Sequence, residues 1–180
     1  MIRAAVEADV PAILQLIREL ARYEREPDAV QADESGLLKA LFGPDPAVYA
    51  LVAEHEGSVV GCAIWFVNFS TWTGRHGLYL EDLIVSDQHR RSGYGRDLLA
   101  ELARICVERD YGRLEWSVLD WNEPALSFYA ALGAEPMTGW TVHRLTGMGL
   151  SQLAEGQLAE GQLAEGQLAQ GRGRRLGTPG

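Results

Sequence analysis

The chain has 180 residues, 47% of them apolar, and a formal net charge of −9, which amounts to one core's worth of sequence with a carboxylate excess that opposes nucleic acid or an anionic membrane and draws cationic ligands inward. No apolar run approaches the ~20 residues of a membrane span and the first residues lack a secretion signal, so a cytoplasmic protein is expected. Cys62 and Cys106 fall in a predicted strand and on the apolar face of a predicted helix and read as small core residues of a reducing compartment, with no neighbouring histidine to activate either as a nucleophile.

In chain order, residues 2–6 predict a first strand. Asp9 then predicts the cap of a helix whose Val10, Ile13, Leu14, Ile17 and Leu20 form one apolar stripe. That helix should end near Tyr23-Glu24, in a polar, mostly acidic loop with Pro27 in it. Residues 33–42 predict a second helix, stopped by Gly43-Pro44. Residues 49–54 and 59–69 predict a hairpin around Glu56-Gly57-Ser58. After Ser70-Thr71-Trp72-Thr73-Gly74, residues 78–85 form an apolar central strand, followed by a helix over 96–109, a strand over 114–119, and a short helix over 124–132 with Pro124 in its first turn. Residues 137–145 predict one closing strand. The order is that of an α/β (α+β) domain, a mixed central sheet with helices on both faces, over residues 1–149. Residues 150–180 are a low-complexity tail in which Gln-Leu-Ala-Glu-Gly recurs from Gln152. Five residues advance a helix by ~500°, so no apolar stripe forms, and each Gly costs roughly 1 kcal/mol relative to Ala. The tail therefore reads as disordered or as a fraying helix.

The stretch between the central strand and the 96–109 helix, Arg90-Arg91-Ser92-Gly93-Tyr94-Gly95-Arg96, carries the chemistry. Its glycines let backbone approach a ligand closely. They open a helix whose first N–H groups are free and favour anions. Three arginines there reverse the sign of an acidic protein, so the order strand, glycine turn, helix reads as a pyrophosphate site. The competing reading is a glycine-rich turn with a solvated basic rim. Leu98 stands where the dinucleotide fingerprint needs a third glycine, and no P-loop lysine is present.

With its strand, this stretch resembles the Q/R-x-x-G-x-G/A motif of the GNAT superfamily of N-acetyltransferases, met by Arg90, Gly93 and Gly95. Three further blocks are similar to the diamine (spermidine/spermine) and thialysine N-acetyltransferase branch: Ser117-Val118-Leu119-Asp120-Trp121-Asn122-Glu123-Pro124 with Phe128-Tyr129, Tyr79-Leu80-Glu81-Asp82, and Ser70-Thr71-Trp72-Thr73-Gly74-Arg75. The resemblance implies the GNAT fold, acetyl-CoA as co-substrate, no metal, a small amine as acceptor and a homodimer. It places coenzyme A against Leu83, Ile84, Val85, residues 90–96 (Arg90, Arg91, Ser92, Gly93, Tyr94, Gly95, Arg96), and Asn122, Glu123, Pro124 and Ala125. It places the amine against Tyr23, Glu24, Ser70, Trp72, Glu81, Asp82, Glu115, Trp116 and Ser117.

Acetyl transfer to an amine requires that an ammonium of pKa ~10.4 lose its proton. Glu81, mid-strand where partial burial would raise its pKa, reads either as the base, acting directly or through a water, or as a strand carboxylate paired with an arginine, and the resemblance favours the base; Asp82 would face the opposite side unless the strand is bulged. Backbone N–H groups of Leu83 to Val85, at a splayed strand edge, are expected to stabilise the carbonyl oxygen. Tyr129 is the acid that the resemblance implies for the leaving thiolate. A non-catalytic coenzyme A-binding module is the rival reading, and retention of both Glu81 and Tyr129 argues against it. Polyamine-acting members carry an aspartate where this chain has Ser70, so long polyamines are expected to be poor substrates. The Ser70-to-Arg75 string is instead similar to the thialysine-acetylating members, whose substrates are short amines carrying a carboxylate, and Arg75 reads either as a counter-charge for such a group or as a solvated arginine.

Overall fold

A computed structural model describes residues 1–156, and the chain divides into two compact units, Met1–Phe128 and Tyr129–Gly180. The first holds β1 (Ile2–Ala4), α1 (Val10–Tyr23), α2 (Glu34–Phe42), β2 (Tyr49–His55), β3 (Ser58–Ser70), β4 (Arg75–Val85), α3 (Tyr94–Glu108) and β5 (Leu114–Trp116); α4 (Glu123–Ala131) begins in it. The sheet runs β1-β2-β3-β4-β5, antiparallel throughout except for the parallel pair β4 and β5. This is the mixed sheet expected.

Local chemistry explains most boundaries. Asp33 caps α2 by accepting the Gly36 N–H at 2.7 Å. The β2–β3 hairpin turns on Glu56 (φ 49) and Gly57 (φ 78), the two positive φ values that match the twist of its strands. Asp9 does not cap α1 as expected. Its carboxylate accepts the Val6 N–H at 2.8 Å and both forks of Arg3, at 2.6 and 2.9 Å, because a bidentate guanidinium outcompetes a neutral helix N–H. Arg3 holds the Asp9 carboxyl below its ordinary range.

Strand parity assigns the two faces of the sheet. Val52, Cys62, Ile64 and Ile84 pack against Val10, Ile13 and Leu16 of α1 and Leu41 of α2. The opposite face carries Leu51, Ala63, Trp65, Leu78 and Leu80, all buried; Arg109, following α3, lies over the Trp65 ring at 5.8 Å and places that helix there. Cys62 and Cys106 are buried core residues, and burial pushes both thiols up, away from the nucleophilic thiolate.

Gly61 shows how closely β3 and β4 approach. A Cβ there would stand 2.8 Å from the Ile84 carbonyl oxygen and 3.2 Å from Val85 Cγ2, and backbone cannot give way. Gly61→Ala is expected to destabilise the protein by about 1–3 kcal/mol; urea unfolding of the two proteins checks it, and equal midpoints would mean that the strands separate more easily than this contact implies.

In the second unit, α5 spans Gly147–Ala154. The closing strand expected over 137–145 does not form: these residues are in neither helix nor strand. Pro136 just before them has no N–H to pair, and Gly139 sits at φ 90, which breaks the extended run. The expected tail of residues 150–180 begins inside α5, and the repeats from Gln157 onward lie outside the described residues.

Candidate active site

The glycine turn expected to receive a pyrophosphate stands at the start of a helix. Residues 86–93 turn back from β4, and Gly93, at φ 90, is the N-cap of the fifteen-residue α3, a conformation that an L side chain takes only under strain. Gly95 follows in the first turn, 3.9 Å from both Val85 Cγ2 and Phe128 Cζ as measured from an ideal Cβ. The arginines divide their duties. Arg90 pairs with Asp87 at 2.9 Å and lies 4.6 Å over the Tyr23 ring. Arg91 and Arg96 are exposed and form no ion pair among the described residues. Tyr94 O–H meets His55 Nδ1 at 2.8 Å, which fixes the start of α3 against the β2–β3 hairpin.

Pairing of β4 with β5 covers only Leu78, Leu80 and Tyr79 between them, opposite Leu114, Trp116 and Glu115, whereas pairing with β3 continues to Val85. One backbone edge of residues 81–85 is therefore paired to no strand among the described residues. This is the splayed edge expected of Leu83, Ile84 and Val85, and it can both hold an extended amide chain and donate to a developing oxyanion.

The carboxylates are arranged differently from expectation. In the β3–β4 ladder Trp65 faces Leu80 and Ile64 faces Asp82, so Glu81 is the extra residue of a bulge. The bulge rotates the strand, placing Asp82 on the same face as Tyr79 rather than opposite it. Glu81, expected to be partly buried, is exposed, and Asp82 is half-buried in its place. Burial, then the charges of Glu81 and Glu24, push the Asp82 carboxyl up to about 6. Glu24 follows α1, and burial raises its carboxyl as well. Tyr23 beside it donates to Asn122 Oδ1 at 2.9 Å and packs on Trp121 with centroids 5.9 Å apart. Three carboxylates thus converge where α1 ends over β4. A cleft of ≈ 570 Å³ is lined by Glu19, Arg22, Tyr23, Ser86, Asp87 and Gln88, from α1 and the turn that follows β4.

The same sheet face continues away from Asp82 as a polar strip. Phe66 and Tyr79 are cross-strand partners with ring centroids 5.1 Å apart, and Tyr79 O–H bonds Ser117 Oγ at 2.7 Å. Beyond them Asn68 Nδ2 donates to Glu115 Oε2 at 2.8 Å. Asn68 and Arg113 escaped sequence reasoning; the available signal was a lone amide in an otherwise apolar strand. Trp116, the next residue of β5, pairs in register with Leu80. Ser70 closes the β3–β4 turn, its Oγ accepting the Thr73 N–H at 3.3 Å, with Trp72 87% exposed at the tip. Arg75, expected as either a counter-charge or a solvated side chain, has its guanidinium paired with the carboxylate and the carbonyl oxygen of Asp110.

Asn122 Oδ1 also accepts the Ala125 N–H at 3.4 Å, so it caps α4, with Glu123 and Pro124 in the first turn. Tyr129 follows Phe128 in that helix and belongs to the second unit. Burial pushes its phenol up from its ordinary value.

A family profile described as "Acetyltransferase (GNAT) family" matches residues 10–134. The thialysine N-epsilon-acetyltransferase of Bos taurus is 38% identical over 165 residues, which cover 86% of this chain and 96% of the relative. The spermidine/spermine N(1)-acetyltransferase-like protein 1 of Homo sapiens is 33% identical over 153 residues, 79% of this chain and 22% of the relative. An integron cassette protein from the mobile metagenome of V. cholerae, 28% identical, superposes with a TM-score of 0.73 over 86% of this chain and 97% of its own. A glycine-capped helix beside a splayed parallel strand pair, in a chain matched along most of its length by such relatives, leads to one conclusion: the protein belongs to the acetyltransferase (GNAT) family and is an N-acetyltransferase.

Proposed function

We propose that the protein transfers the acetyl group of acetyl-CoA to the primary amine of a thialysine-like amino-acid side chain or short diamine, directly and within a ternary complex. The observation that carries this reading is the convergence, within one compact unit, of an anion-receptive helix N-terminus, an unpaired β4 edge and the carboxylates of Glu24, Glu81 and Asp82. The donor set fits acetyl-CoA: the N–H groups at the start of α3 with Arg91 and Arg96 suit a pyrophosphate, and the free edge of residues 81–85 suits the amides of its pantetheine arm. Bound there, acetyl-CoA supplies a thioester-activated acetyl group.

The chain's own residues do the rest. The three carboxylates attract the cationic amine, and the Glu81–Asp82 pair takes its proton. Asp82, with its raised proton affinity, is the better matched acceptor near neutral pH, while Glu81, exposed on the bulge, can act through water. Backbone N–H groups along residues 83–85 donate to the carbonyl oxygen as charge develops. The Tyr129 O–H supplies a proton to the leaving sulfur. Both cysteines are buried thiols, which favours direct transfer over an acyl-enzyme.

An amino-acid side chain is favoured over a polyamine because the thialysine relative is matched along nearly its whole length, and because Ser70 offers no charge at the far end of the strip. Ser70 stands six residues along β3 from Ile64, about 20 Å at ~3.3 Å per residue, within reach of a long polyamine and beyond that of a lysine-length amine. Ser70→Asp can still accept the Thr73 N–H, so the turn survives. It is expected to raise the spermidine-to-thialysine ratio of kcat/KM roughly tenfold to a hundredfold. A parent that prefers spermidine, or a variant whose ratio stays put, contradicts this choice of substrate.

A further inference from the structure

Arg113 and Glu115 stand two residues apart at β5 and are drawn onto one face. Arg113 Nε lies 2.8 Å from Glu115 Oε2, the oxygen that also accepts from Asn68. Arg113 reaches this position because Gly77 has no side chain: a Cβ there would meet Arg113 Cγ at 2.7 Å and collide with Asn68 Oδ1. Asn68 Oδ1 itself is buried with no partner among the described residues. The side chains of Arg113 and Glu115 remain 38% and 33% exposed, so the pair presents a cation and an anion side by side.

Parity and register set this pair relative to the reacting carboxylate. Glu115 is level with Tyr79, and the Glu81 bulge returns Asp82 to the face that Tyr79 shares. Because Glu81 is extruded, Asp82 and Tyr79 lie opposite Ile64 and Phe66, two positions apart on β3, so two positions and one interstrand step separate the backbones of Asp82 and Glu115 by about 8 Å. A lysine-length diamine bridges that span once charge-assisted hydrogen bonds of ~2.8 Å are set at its two ends.

Resting on the amine acetylation proposed above, we propose that Arg113 and Glu115 together read the α-amino-acid end of the substrate: Glu115 meets the α-ammonium, and Arg113 meets the α-carboxylate. An α-amino acid carries opposite charges on one carbon, and this pair is their complement. A plain diamine satisfies only Glu115 and leaves the guanidinium unmatched. Asn68 is a positioning residue, holding the Glu115 carboxylate from behind.

The test measures kcat/KM for thialysine, for its analogue without the carboxylate, and for its analogue without the α-amine, on the parent and on Arg113→Gln and Glu115→Gln. The parent should prefer thialysine to both analogues. Arg113→Gln should lower kcat/KM for thialysine roughly tenfold to a hundredfold more than for the decarboxylated analogue. Glu115→Gln should weigh most on the two compounds that carry an α-ammonium. Equal losses on all three amines, or no loss on thialysine, would overturn the assignment. A parent that acetylates the amines with no preference overturns only this assignment, whereas a parent that acetylates none of them overturns the proposed function with it. If a single variant fails to fold, the exchanged pair Arg113→Glu with Glu115→Arg keeps the ion pair. Loss of the preference for thialysine in that protein supports the proposal, and its persistence contradicts it.

Discussion

Replacing Tyr129 by phenylalanine is expected to lower turnover roughly 10²–10⁴-fold, the usual worth of one acid–base group, while leaving acetyl-CoA affinity unchanged. The substitution keeps the ring and removes only the O–H, so packing along α4 is preserved. Burial raises the phenol above its ordinary value, so the group stays protonated at neutral pH and is available as a donor. The measurement pairs kcat with an equilibrium titration of acetyl-CoA. Unchanged kcat would remove Tyr129 from the chemistry, and a parallel loss of affinity would make it a binding residue.

The second large effect is expected at Asp82, and it separates activity from stability. Asp82→Asn should lower the rate at neutral pH by about 10²-fold or more, and by more than Glu81→Gln does, because the raised proton affinity lies on Asp82. The parent's kcat/KM should fall as pH drops through about 6, where Asp82 becomes protonated and can no longer accept a proton, and that inflection should vanish in the variant. Stability should move the other way. A carboxyl whose folded value is about 6 against an ordinary 3.8 binds its proton more tightly when folded. Its stabilising contribution is therefore complete below the unfolded value and lost as pH rises through 6. At pH 7 the ionised, half-buried carboxylate costs about 1–3 kcal/mol, which asparagine recovers. Urea unfolding should show Asp82→Asn more stable than the parent near pH 7.5 and nearly equal to it near pH 4. A gain independent of pH would show that the carboxylate is not strained by burial.

Most of the scaffold was legible because its elements carry strong local signals. The α1 stripe, the Asp33 cap, the Glu56-Gly57 turn and Gly93 before α3 each specify their conformation within a few residues. Register was less accessible. Leu80-Glu81-Asp82-Leu83 interrupts apolar alternation with two adjacent carboxylates, which hints at a bulge, but which residue is extruded depends on how β3 lies alongside. The base was therefore sought at Glu81, while the burial fell on Asp82. Long-range competition explains Asp9, whose capping signal is overridden by Arg3. The strand expected over 137–145 did not allow for Pro136, which has no N–H to pair, or for Gly139, which sits at φ 90. Asn68 and Arg113 became visible only when the sheet placed them on the face of Asp82.

Release of the coenzyme A thiol from acetyl-CoA, followed with and without thialysine and confirmed by the mass of the acetylated amine, tests the central claim most directly. The proposal predicts that thiol appears only with the amine present, one equivalent for each amine acetylated. Acetyl-CoA binding without release, or release that does not depend on amine, would contradict it.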